Sequence, residues 1–183
     1  TVEKKDAFQY VSVYFNVKDD NHPPVHFFLL HTVSSIVQGE VTPWMGCMIN
    51  LAAIIGICIL LMRIGKQLTG NRWYGILAAL LYGLSAGAIG TVLLIRMYAI
   101  LTLFAVWILY LHLQKWETGN WRKKNKPLIA ITVLGFLTQY FFLFYMVGLA
   151  LVTVISLWKN QKKKEVLFYI RSMSIAAIIG VGV

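Results

Sequence analysis

Apolar residues come in long runs along this chain, parted by short polar breaks. Residues 1–21 are polar and hold four of the seven acids, Glu3, Asp6, Asp19 and Asp20. A short apolar helix is predicted from Pro23 to about Val37, because a Pro-Pro pair suits a helix start, where amide protons have no intrahelical partner. Gly39, Glu40 and Pro43 then break the chain. Further apolar runs cover Trp44 to Met62, Trp73 to about Leu93, and Leu94 to Leu113. The block from Pro127 to Trp158 follows, and a last run begins near Val166. About 20 apolar residues in a helix cross a hydrocarbon core of roughly 30 Å. The pattern predicts an all-α, polytopic transmembrane helix bundle with an outer interfacial helix.

Composition agrees: 58% of the residues are hydrophobic and 13% are charged, far from a soluble globular mixture. The net charge of +10 requires no nucleic-acid partner, because Lys and Arg gather in short loops between apolar runs, the topology signal of a membrane protein. Cys47 and Cys58 fall in one predicted helix, about 16 Å apart along its axis, too far to bridge. They read as small packing residues.

Those basic loops, at 63–72, 115–126 and 159–164, are expected on the cytoplasmic side. The runs before and after residue 94 then form a hairpin whose tip, around Gly90 to Arg96, lies outside. The block 127–158 must leave and return, which predicts two short helices with a break near Gln139 and Tyr140. With 1–22 as part of an outer loop, Pro23–Val37 lies in the outer interface and Trp44–Met62 makes the first crossing. The transmembrane region, 23–183, reads as incomplete at both ends, so the chain is expected to be a piece of a longer protein.

The outer face then collects Asp19, Asp20, His22, Glu40, Arg96 and Gln139. His22 and His26 are four apart, a spacing that can hold a metal together with Asp19 or Asp20; the competing reading has His22 capping the helix and His26 packing at the interface. His31 reads as a packed, hydrogen-bonded core histidine. Arg96 stands alone in an apolar stretch, where a guanidinium either holds an anion such as phosphate or snorkels to the interface. Glycines 83, 87 and 90 suggest a surface for close helix packing. Trp44, Trp73, Trp116, Trp121 and Trp158 read as an interfacial belt.

Asp20-Asn21-His22-Pro23-Pro24-Val25-His26-Phe27-Phe28-Leu29-Leu30-His31 resembles the Asp-x-His-Pro-Pro-Leu-Tyr-Tyr-Leu-Leu-Leu-His signature of multi-spanning glycosyltransferases of the C-type fold. These are bacterial relatives of the dolichyl-phosphate-mannose protein mannosyltransferases and of the lipid A aminoarabinose transferase. Arg96-Met97-Tyr98-Ala99 with Leu101 resembles their Glu-Ala-Arg-Met-Tyr-Ala-Leu segment, and Thr138-Gln139-Tyr140 resembles a Thr-His-Tyr in a later helix break. Three departures stand out: Leu94 in place of a glutamate, Gln139 of a histidine, and His26 of a tyrosine.

The resemblance implies a partial C-type fold and a hexosyltransferase-like activity in the cell membrane. Such enzymes pass a sugar from a polyprenyl-phosphate-linked donor to a glycan, lipid or protein acceptor on the outer side. Asp20, His22 and Arg96 match positions at the donor phosphate or motif, with Asp19, His26, Tyr98, Gln139 and Tyr140 in support. A divalent metal is a candidate cofactor. The family's catalytic base belongs to the first outer loop and is expected upstream of Thr1. The competing class is a non-enzymatic transporter, flippase or assembly subunit, which should show inverted repeats; none is visible.

Overall fold

The structure, a computed structural model, describes residues 6–17, 23–37, 42–122 and 125–181. Among these, all regular structure is helical. The chain divides into two units, Thr1–Leu103 and Phe104–Val183, with the division inside a long helix.

The first unit opens with α1 (Tyr10–Val17) and α2 (Val25–Val37). In α2 the Pro24 carbonyl accepts the first helical bond, from Phe28, so the proline pair starts the helix as its chemistry predicts. At 13 residues, α2 is about 20 Å long, too short to cross alone. The helix α1, unforeseen within a polar stretch, packs on it. Tyr10 bonds Thr32 through their hydroxyls at 3.0 Å, and the Phe8 amide donates to Ser35 Oγ at 3.0 Å.

The spine of the unit is α3 (Pro43–Thr69). Its 27 residues reach about 40 Å, long enough to cross the hydrocarbon and overrun it. Arg63 and Lys66, expected in a loop, continue this helix; both are good helix formers, and cations suit the negative end of the helix dipole. Gly70 stops it in the left-handed region (φ 72) with its amide on the Lys66 carbonyl, a geometry that favours glycine. Asn71 then caps α4 (Arg72–Gly83) by accepting from the Trp73 amide.

The run 73–93 is one apolar block in sequence but two helices in the structure. α4 and α5 (Ala86–Leu93) are bent by 54°, and Ser85 makes the break. Its hydroxyl donates to the Tyr82 carbonyl at 2.7 Å and accepts from the Ala88 amide at 3.1 Å, satisfying one orphan group from each helix end. The bent pair runs antiparallel along α3. Gly65 meets Gly75 backbone to backbone, Cys58 Sγ donates to the Ala79 carbonyl at 3.6 Å, and Asn50 reaches Thr91. Close helix packing is therefore at Gly65 and Gly75. Gly90 faces open space and Gly87 meets only the Ser85 hydroxyl, so they are not the packing surface expected of them.

α6 (Tyr98–Thr118) carries the chain into the second unit, which adds α7 (Lys126–Phe136), α8 (Phe142–Lys159) and α9 (Lys163–Val181). The block 127–158 is indeed broken at 137–141. Among the described residues three helices, α3, α6 and α8, are long and apolar enough to cross a membrane, or four spans if the bent pair counts as one. Large apolar side chains such as Phe144, Leu151, Val152 and Ile155 on α8 are exposed, the pattern of a helix whose outer solvent is lipid. The molecule is a polytopic helical membrane bundle.

Trp44, Trp73 and Trp158 are exposed near helix ends, as belt residues should be. Trp121 is not: at 1% exposure it is core. It packs edge-on against His112 and Tyr169, at 5.9 and 5.5 Å between ring centroids, with Trp116 at 6.2 Å. The buried Lys115, expected in a solvated basic loop, donates to Asn125 Oδ1 at 2.6 Å and to the Asn120 carbonyl at 3.4 Å. Asn125 in turn donates to Ser172 Oγ at 2.8 Å. This network ties α6 and the following turn to α9.

Candidate functional site

Arg96 sits in the turn between α5 and α6, and the residues around it explain how it is presented. Met97, Ala99 and Ile100 are buried, whereas Arg96 and Tyr98 are exposed. The backbone turns sharply, with the Arg96 amide on the Leu94 carbonyl at 2.7 Å. At the C-terminal end of α5 the last carbonyls have lost their intrahelical donors. In an apolar solvent such groups need a partner within the protein.

Asn50 supplies it. This residue is fully buried in α3, and its amide group donates to the Leu94 carbonyl at 2.8 Å and to the Thr91 carbonyl at 3.1 Å. One turn earlier on the same face, Gly46 leaves the space that Ile95 occupies; a Cβ there would overlap the isoleucine side chain. Gly46 and Asn50 thus form a seat for residues 94–95, and Arg96 follows immediately. Sequence reading passed over Asn50. Its signal was a lone amide inside a long apolar run, a placement that is costly in lipid and rarely idle.

The electrostatics of this end are simple. Among the described residues Arg96 forms no ion pair, and the only carboxylate of the first unit's described residues is that of Asp6. α2 reaches the same end of α3, where Ser34 Oγ lies 3.5 Å from Met45 Sδ. The helix that follows the His-Pro-Pro motif and the arginine turn therefore both meet the N-terminal part of α3. His26 is buried in α2. His31 differs from its expectation: it is half-buried, edge-on to Tyr10 at 5.5 Å, and its Nε2 has no hydrogen-bond partner, because the ring packs among aromatics. Asp19, Asp20, His22 and Glu40 lie outside the described residues, and so does the metal grouping built on them. Among the described residues no three metal-type ligands come together.

In the second unit Gln139 and Tyr140 occupy the α7–α8 turn, as expected. Thr138 is buried and anchors the turn by donating to the Leu134 carbonyl at 2.7 Å. Gln139 Oε1 is shielded and lacks a hydrogen-bond partner, while the exposed Tyr140 tilts against Phe136 at 5.3 Å. His112 is a further polar residue that sequence reading missed. Its Nδ1–H donates to the Ile108 carbonyl at 2.7 Å, and Nε2 accepts from the Tyr169 hydroxyl at 3.1 Å.

The family model described as dolichyl-phosphate-mannose-protein mannosyltransferase matches residues 21–182. The chain belongs to this family. No curated protein and no solved structure matches it. Membership makes the chain part of a membrane glycosyltransferase of the mannosyltransferase type. The match spans the α2 motif, the Arg96 turn and the α7–α8 turn alike. An exposed cation at a helix turn, with no ion pair among the described residues, suits such chemistry, because a guanidinium offers its donors to an anionic leaving group.

Proposed function

We propose that this mannosyltransferase-family enzyme takes its sugar from a polyprenyl-phosphate-linked donor and passes it to an acceptor hydroxyl on the outer face of a cell membrane that it crosses several times. The observation that carries this reading is the Arg96 turn, a seated backbone that offers a guanidinium with no ion pair among the described residues. In the proposed reaction the acceptor oxygen attacks the anomeric carbon and the bond to the phosphate oxygen breaks. The bonding pair leaves on the phosphate, and the configuration inverts. A carboxylate takes the acceptor proton. Because the leaving group is a phosphate, neutralising its growing charge matters more than protonating it. Arg96 and His22 are assigned to that phosphate and Asp20 to the same motif, and Asp19, His26, Tyr98, Gln139 and Tyr140 are assigned supporting roles.

The test uses the full-length protein in membranes, with sugar transfer from a lipid-linked donor followed at equal expression. Arg96→Ala and His22→Ala should each lower kcat/KM by about a hundredfold, the usual effect of removing one stabiliser of developing charge. Wild-type rates in both variants would remove these residues from the reaction.

A further inference from the structure

We infer that Asn50 is a positioning residue for the donor phosphate, acting through Arg96; the inference rests on the phosphate reading above. The amide spans the end of α5 and the start of the turn, with carbonyl contacts at 3.1 Å to Thr91 and 2.8 Å to Leu94. A third carbonyl, that of Val92, lies at 3.5 Å. All three are acceptors, so the side chain must face them with its NH2, and only an amide or another donor can serve. The Leu94 carbonyl that Asn50 holds also accepts the Arg96 amide at 2.7 Å. One oxygen therefore fixes both the end of α5 and the backbone of the arginine.

The seat has a second part that limits where the turn can go. Ile95 fills the space left by Gly46, so residues 94 and 95 are both docked on α3 while Arg96 projects outward. Without the amide, the Thr91 carbonyl loses its side-chain donor and the Leu94 carbonyl keeps only the Arg96 amide, so in an apolar surrounding the turn must rearrange to recruit another donor. The guanidinium would then be presented from a spread of positions. Binding falls when a charged group is not held ready for its partner. Asn50 itself is fully buried, so this effect runs through the turn alone.

The experiment measures binding of farnesyl phosphate, a short polyprenyl monophosphate, to the full-length protein in detergent. Asn50→Leu keeps the branched shape and removes the donor; Asn50→Ser keeps a shorter donor and carries the test if the leucine variant is not recovered folded. Arg96→Ala and the double variant complete a cycle. Asn50→Leu and Arg96→Ala should each weaken binding about tenfold, Asn50→Ser less, and the double variant no further than Arg96→Ala alone. A merely structural asparagine would instead lower affinity equally with and without Arg96, so losses that multiply overturn the inference. If Arg96→Ala loses affinity and both Asn50 variants keep it, the inference fails and the phosphate reading stands. If Arg96→Ala binds like the parent, the phosphate reading fails and takes the inference with it.

Discussion

Tyr169 and His112 show how a polar pair is kept inside this bundle. His112 packs against Trp116 and Trp121, Tyr169 packs against Trp121, and each ring nitrogen of His112 has one partner. Tyr169→Phe removes a single oxygen but leaves His112 Nε2 buried without a donor. A group stranded in this way costs about 1–3 kcal/mol, so the variant should melt several degrees lower in a detergent thermal scan. Because the pair lies in the other unit from Arg96, donor binding should be unaffected at temperatures where the variant is folded. Legibility at this scale is uneven. Arg96 could be picked out as a charge in an apolar run, and its exposure agrees with that reading. Asn50 and His112 could not, because each has a partner forty or more residues away along the chain; the burial of Lys115 could not either, because its partner Asn125 is itself held by a residue that distant. Asn50 bonds Leu94, and Asn125 bonds Ser172.

Elements were easier to read than their faces. The apolar runs, the proline start of α2 and the break at 137–141 follow from chain composition, since length and turn residues decide them. Which side of a helix meets its neighbour does not, because in lipid the buried and exposed sides are equally apolar. Hence the glycines singled out at 83, 87 and 90 are not where helices touch most closely. That contact is made by Gly65 on α3 and Gly75 on α4. A Cβ on Gly75 would overlap the carbonyl of Met62, and backbone cannot rotate aside as a side chain can. Gly75→Val should therefore force α3 and α4 apart and cost about 1–3 kcal/mol or more. Reduced melting temperature, with Gly90→Val as the tolerated control, is the measurement. Ser85 reads in sequence as one more small packing residue beside those glycines, and the break it makes was not legible for a related reason: it acts by hydrogen bonding and leaves the hydropathy of the run intact.

In the whole molecule, each unit taken by itself has one strongly basic end. In the first, Arg63, Lys66 and Arg72 cluster where α3 turns into α4, and Arg96 is at the opposite end of that hairpin. In the second, the α6–α7 and α8–α9 turns meet through Arg122 and Glu165 at 3.1 Å, while Gln139 and Tyr140 occupy the α7–α8 turn. The positive-inside rule then directs both candidate turns outward. Single cysteines at Leu68 and Thr42, both exposed and at opposite ends of α3, report on this after Cys47 and Cys58 are replaced by alanine. A membrane-impermeant maleimide added to intact cells should label position 42 and reach position 68 only after permeabilisation. The reverse pattern would put the arginine turn inside.

The bend at Ser85 also sets a depth. Straight, the residues of α4 and α5 would rise about 30 Å, matching the hydrocarbon. With α4 along the membrane normal and α5 leaning away by 54°, the eight residues of α5 contribute about 7 Å of height instead of about 12 Å. On the outward topology the backbone of Arg96 would lie roughly 5 Å below the hydrocarbon boundary, with its long side chain still reaching the headgroups. One serine would thereby sink the cation into a shallow well. A lipid held there by its phosphate would keep its own tail in the bilayer, and the bond to be broken would sit at the waterline.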